Sequence, residues 1–201
     1  MISALTMLLM IHLSEPIDNA LKLVAIQNDP LIGVCDDLFD GELSNSQLLD
    51  FVMVMRHYGE DYAGLDANWL LALAYHESRF NTEAYRRNTN GTNDVGLYQH
   101  NSRYWNRRLR MAIDEYTLLY GGFIWERVNK DRRDPVCALV VTISHLKNNV
   151  ANYRLHGINV YLSHYGVGWA TNLRNRSNAI GYRRALIRAY DEILSRRQRD
   201  F

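Results

Sequence analysis

Two carboxylates, Glu77 and Asp94, carry the strongest chemical signal in this chain of 201 residues. Glu77 follows Leu70, Leu73 and Ala74 by seven, four and three positions, so helical geometry sets its carboxyl on a face otherwise made of apolar side chains. Desolvation on such a face raises a carboxyl's pKa, and an acid still protonated near neutrality is what proton donation to a glycosidic oxygen requires. Asp94 follows an Asn- and Gly-rich turn, in a polar setting where it should stay ionised. Two carboxyls in contrasting environments match the acid and stabiliser pair of glycoside cleavage. A structural reading competes, with Glu77 paired to Arg79, Arg86 or Arg87 and Asp94 merely starting a turn.

The elements that must position these side chains are mostly helical. Asp66 offers an N-cap to a helix over 67–79, and the run Trp69, Leu70, Leu71, Ala72, Leu73, Ala74 buries most of it. The word Asn88-Thr89-Asn90-Gly91-Thr92-Asn93 is the strongest turn signal in the chain and predicts a small hairpin between Phe80 and Trp105. Ser44 or Ser46 caps a helix over 47–57, which the Gly59 to Gly64 stretch ends. Helical periodicity returns over 106–120, 135–155, 159–164 and 177–198, with breaks at Gly121-Gly122 and at Gly166 and Gly168. The expected fold class is mainly α (α+β), with one small antiparallel β element.

Composition bounds the alternatives. Hydrophobic residues at 47% and charged residues at 22% exclude global disorder, a collagen-like fibre and a polytopic membrane protein. The net charge of +1 hides a split, because residues 1–66 hold two basic and eleven acidic side chains and residues 67–201 hold twenty-one and eleven. A polyanionic partner would meet the second part. Arg174, Arg176, Arg183, Arg184, Arg188, Arg196, Arg197 and Arg199 read as a solvated helical face, and no nucleic-acid partner is expected. Two cysteines support neither a disulfide framework nor a zinc site, and His100, His145 and His164 lack metal-ligand spacing. No metal and no cofactor is expected. His76 projects about 100° away from Glu77 round the helix and reads as packing, as do Trp69 and Trp125. Residues 2–13 form an apolar run too short to span a bilayer, which needs roughly 20 residues. A signal peptide and a first amphipathic helix ending before Pro16 are competing readings, since no Lys or Arg precedes the run and Ser14-Glu15-Pro16 is not an A-x-A site.

The words around both carboxylates resemble a known family. Glu77-Ser78-Arg79-Phe80-Asn81-Thr82-Glu83-Ala84, then Arg87-Asn88-Thr89-Asn90-Gly91-Thr92-Asn93-Asp94-Val95-Gly96, then Gln99-His100-Asn101-Ser102-Arg103-Tyr104-Trp105, are similar to the active-site segment of C-type lysozymes, without a gap over twenty-nine positions. The resemblance implies that Glu77 is the catalytic acid and Asp94 the second carboxylate. It implies further that Asn88 supports Asp94, and that Gln99, Asn101, Tyr104 and Trp105 line a sugar cleft, with packing under the cleft as the competing reading for Tyr104 and Trp105. The rest of the chain resembles the soluble lytic transglycosylases, through Glu77-Ser78 ending a helix, Gly96-Leu97-Tyr98-Gln99, Tyr165-Gly166-Val167-Gly168 and a late Tyr182. Ser78, Tyr165 and Tyr182 thereby join the expected substrate-binding set. Two departures stand out, Tyr98 in place of Met and Gly166 in place of the family's Asn. Asp134-Pro135-Val136-Cys137 looks like the helix start of small secretion-associated transglycosylases, some of which carry a Cys near it; from this and from the pair count a Cys35–Cys137 bridge is one expectation, and two buried, inert thiols are the competing one.

Together these imply a lysozyme-like domain over 44–201 behind an N-terminal helical extension over 1–43. The expected activity is lytic transglycosylase cleavage of peptidoglycan between N-acetylmuramic acid and N-acetylglucosamine, with Glu77 as acid and base. A retaining muramidase using Glu77 and Asp94 is the alternative, and an inactive wall-binding module a further one. The expected partners are peptidoglycan glycan strands, with a phage particle, conjugation or secretion assembly docking through the extension. The expected location is the bacterial envelope or periplasm, or a phage virion.

Overall fold

The computed structural model describes residues 26–166 and 176–199. The chain divides into two compact units, Met1–Met53 and Val54–Phe201. The division thus falls at Met53, inside the segment that the sequence assigned to the catalytic domain. The apolar run 2–13, Val167, Gly168 and Arg174 lie outside the described residues.

In the first unit, α1 (Leu31–Leu38) buries Leu31, Val34, Cys35 and Leu38, the i, i+3, i+4, i+7 stripe of an amphipathic helix. The second helix, α2 (Asn45–Met53), opens on a reciprocal cap: the Ser44 N–H donates to Gln47 Oε1 at 3.1 Å, and the Gln47 N–H to Ser44 Oγ at 3.3 Å. Ser44, not Ser46, is therefore the cap. Phe39 meets Phe51 edge-on at 5.2 Å between ring centroids.

The second unit opens with a π-helix, Val54–Tyr62, where the sequence predicted an α-helix broken near Gly59. Gly59 is no stop signal. A Cβ there would lie 3.2 Å from Leu70 Cδ1 and 3.4 Å from Ile143 Cδ1, so its bare backbone lets two helices approach. The first of these is α3 (Ala67–Ser78), capped by Asp66, whose carboxylate accepts from the N–H groups of Asn68 at 2.7 Å and Trp69 at 3.3 Å. Leu70 to Ala74 are buried without interruption, and Arg79 ends the helix in the left-handed region at φ 58°.

A three-stranded antiparallel sheet follows in the order β1 (Tyr85–Arg87), β2 (Asn93–Val95), β3 (His100–Asn101). Its register pairs Arg86 with Asp94 and Asp94 with Asn101. The predicted hairpin is its first half, and β3 is an addition. The remaining helices are α4 (Trp105–Tyr120), α5 (Phe123–Arg127), α6 (Pro135–Tyr153), α7 (Ile158–Leu162) and α8 (Arg176–Arg199). In α6, Pro135 sits in the first turn behind the Asp134 cap, which accepts from the Cys137 N–H at 2.8 Å. Its residues 135–144 are all buried, so α6 shares the centre of the core with α3. The α4 helix lies against α6, and α8 lies along α3, where Trp69 stacks on Tyr190 at 4.0 Å and on Tyr161 at 5.6 Å. Cys35 and Cys137 are buried thiols, where the sequence expected a bridge between them. Burial pushes the Cys137 thiol far up, out of the reactive range.

Candidate active site

The last turn of α3 carries Glu77 to the rim of a polar cleft of about 430 Å³. The lining combines Glu77 with Asn88 and Thr89 from the turn after β1, Asp94 from β2, Gln99 just before β3, Asn101 within it, and Tyr104, Arg108, His164 and Tyr165. Packing at the end of α3 strips water from the carboxyl, and this desolvation raises the Glu77 pKa to about 7. The Asp94 charge adds to that rise, and the Tyr182 hydroxyl and the Arg86 cation oppose it. Among the described residues Glu77 forms no ion pair. Its Oε1 accepts a short hydrogen bond from Tyr182, so the competing reading of a structural ion pair does not describe this carboxyl.

Asp94 is held from both sides. Asn88 Nδ2 donates to its Oδ2 at 3.0 Å and Asn101 Nδ2 to its Oδ1 at 2.6 Å, while both amides also donate to Thr92 Oγ1, at 3.1 and 3.0 Å. The antiparallel register makes this geometry, because it lays Asn101 directly across from Asp94 and leaves Asn88 at the start of the turn. Arg132 Nη1 clamps β2 to β3 through Asn93 Oδ1 at 2.8 Å and the His100 carbonyl at 3.1 Å.

The other expected side chains divide. Gln99, at φ 48°, anchors its amide on the carbonyls of Gly96 at 3.0 Å and Ala84 at 3.2 Å and faces the cleft. Tyr104 and Tyr165 line the cleft with rings about half exposed, 50% and 53%, an arrangement suited to stacking on sugar faces. Asn88 and Asn101 reach the cleft wall, but their amides are spent on Asp94. Ser78 bonds within its own helix, to the Ala74 carbonyl at 3.2 Å, and is not part of the cleft lining. Trp105 is buried beneath the sheet against His100, with ring centroids 5.1 Å apart, so packing and not sugar contact explains it. Tyr182 serves the acid: it sits between His76 at 4.5 Å and Tyr165 at 5.5 Å and points its hydroxyl at Glu77. His76 packs there as expected.

Sequence reasoning did not place Arg86, Arg108 or His164 in the cleft lining. Arg108 follows Tyr104 by one helical turn, a spacing that places both on one face of α4. His164 immediately precedes Tyr165 but looked like an isolated histidine. In the fold it meets His100 at 5.6 Å and His145 at 6.2 Å, and its Nε2 donates to the Tyr98 carbonyl at 2.7 Å. Burial holds all three imidazoles below their ordinary pKa, His164 near 4, so they are neutral at physiological pH. No metal-holding group occurs among the described residues.

The Tyr182 contact gives a testable sign. Tyr182→Phe removes a donor that favours the carboxylate, so the Glu77 pKa rises further and the alkaline fall in activity moves to higher pH, while turnover drops by roughly one order of magnitude as the carboxyl loses its alignment. A pH–rate profile of wild type and Tyr182→Phe checks both. An unshifted alkaline limb would show that Tyr182 only packs.

Known proteins share part of this sequence. Lysozyme C of Ortalis vetula is 45% identical over 58 residues, 28% of this chain and 44% of that protein. Lysozyme C-1 of Sus scrofa is 47% identical over 58 residues, with the same coverage, and lysozyme C II of Oncorhynchus mykiss is 49% identical over 47 residues, 23% of this chain and 32% of the relative. The chain thus spans less than half the length of these curated relatives. No solved structure gives a significant match. The transglycosylase SLT domain model matches residues 55–188, beginning at the start of the second compact unit and taking in Glu77, the sheet and Tyr182. The chain belongs to the transglycosylase SLT domain family.

Proposed function

We propose that this domain is a lytic transglycosylase that cleaves the β-1,4 bond between N-acetylmuramic acid and N-acetylglucosamine in peptidoglycan. The observation that carries the reading is a carboxyl desolvated enough to hold its proton near pH 7, steadied by Tyr182 at the rim of a polar cleft, in a chain of the transglycosylase family. Glu77 donates its proton to the glycosidic oxygen and the glucosaminyl group leaves as an alcohol. Positive charge that develops at the muramoyl anomeric carbon is stabilised by the carboxyl of Asp94, which Asn88 and Asn101 keep in place. The muramoyl 6-hydroxyl then bonds to that carbon and returns its proton to Glu77, closing a 1,6-anhydro ring and resetting the acid.

A retaining muramidase is the second reading, favoured by the pairing of Glu77 with Asp94 and by the lysozyme relatives. The amide donors on both Asp94 oxygens suit a nucleophile and an electrostatic stabiliser alike, and the transglycosylase reading is preferred because the family model that spans residues 55–188 is that of the transglycosylases. The product separates the two. Digestion of purified sacculi, with fragments identified by mass spectrometry, is expected to give anhydromuramoyl ends. Reducing muramoyl ends would establish hydrolysis, and no soluble fragments would leave a silent wall-binding module. The reading places the protein where peptidoglycan is, in the bacterial envelope or on a phage particle. Its acidic N-terminal segment is then the docking element for a phage, conjugation or secretion assembly.

A further inference from the structure

Among the described residues Arg108 is a charge without a counter-charge. It sits in the first turns of α4, lines the cleft and is partly buried. Among the described residues its guanidinium makes no ion pair and no hydrogen bond, and its one described contact is the Tyr104 ring, 5.7 Å from the guanidinium carbon. Its desolvation is large enough to lower even an arginine, to about 10, and no carboxylate charge offsets it. The nearby histidines give no relief, since they are neutral and the guanidinium charge helps keep them so. Arg86, the other cation of the cleft, is exposed and acts on Glu77. A partly desolvated guanidinium gains from an anion that meets it, and its planar fork of donors fits a carboxylate.

Resting on the peptidoglycan reading, we propose that Arg108, with Tyr104 beside it, forms a subsite for a carboxylate on the side arm of the muramoyl residue. The two sugars of the glycan differ at this point. The muramoyl ring carries a lactyl ether that ends in a free carboxylate on stripped strands, or in a stem peptide with carboxylates of its own, whereas the glucosaminyl ring is neutral. Arg108 therefore fixes which sugar lies on which side of Glu77, a choice that the polar groups common to both rings cannot make.

The test is calorimetric binding to full-length Glu77→Gln protein, which binds without turnover. Three muramoyl-containing oligosaccharides serve as probes: stripped strands with free lactyl carboxylates, the same strands with those groups converted to carboxamides, and strands carrying stem peptides. The expected result is that at least one acidic probe binds roughly tenfold or more tightly than the carboxamide, that Arg108→Gln erases the difference, and that Arg108→Lys keeps part of it. Preference for the stripped acid identifies the lactyl carboxylate as the ligand, and preference for the peptide-bearing strand identifies the stem. Equal affinity for all three probes overturns the subsite, a comparison that needs no change at Arg108 and so no assumption about its folding. Failure of every probe to bind overturns the peptidoglycan reading itself, and the subsite with it.

Discussion

Glu77→Gln is expected to lower the rate of glycan cleavage by about 10³-fold or more while making the folded protein more stable at alkaline pH. The amide cannot donate a proton to the leaving oxygen, and positioned acid catalysis is worth roughly 10²–10⁴-fold, here on a residue that serves as acid and then as base. The stability effect has a definite sign. The Glu77 pKa lies at about 7 in the folded chain, above its ordinary value of 4.5. Between those values the native state binds more protons than the unfolded state, so stability falls as pH rises through that window. Above pH 7 the native state carries a buried charge whose cost approaches roughly 3 kcal/mol, and the amide removes it. Denaturant melts of the two proteins should therefore coincide below about pH 4, separate in favour of Glu77→Gln as pH rises from 4.5 to about 7, and keep a constant difference above that. Equal stabilities at pH 9 would mean that the carboxyl is solvated.

Gly96→Ala is expected to destabilise the protein by about 3 kcal/mol or more and to disable the cleft as well. Gly96 has φ 81°, a conformation that costs an L residue about 1–2 kcal/mol. A Cβ there would also lie 1.9 Å from the Arg132 carbonyl oxygen, a backbone atom that no rotamer change can move. Relief requires β2 and the 132–134 segment to separate, and overpacking of this kind costs a further 1–3 kcal/mol or so. That separation strains the Arg132 clamp on Asn93 and His100 and shifts Asp94 and Gln99, which flank Gly96 in sequence. Thermal melts should show a midpoint lower by roughly 10 °C, and activity at a permissive temperature should fall at least about tenfold. A native-like melt would show that the close approach of Gly96 to Arg132 is not needed by the fold.

How far the sequence could be read followed the range of the contacts involved. The helix that delivers Glu77 was legible because its cap, Asp66, and its apolar run are local features. Asp94 was legible as the polar partner across an Asn and Gly turn. The third strand was not, since two residues, His100 and Asn101, carry no pattern, and the Arg132 side chain that braces them comes from far along the chain. Trp105 was misassigned for a similar reason: an aromatic after a turn can face a ligand or a core, and the choice was made by His100. Tyr182 came only through family resemblance, because nothing local connects it to an acid 105 positions away. Even then it was expected to touch substrate, and it instead steadies the acid. Gly59 read as a helix stop, yet the close packing of Leu70 and Ile143 made it an interior residue of the π-helix.

The central claim is that a desolvated, protonated Glu77 is the acid of this site, and titration of its side-chain carboxyl by carbon-13 NMR tests it most directly. The Glu77→Gln spectrum identifies the resonance. A midpoint near pH 7 in wild type that rises in Tyr182→Phe is the predicted result. A midpoint between about 4 and 5, unmoved by Tyr182→Phe, would contradict it.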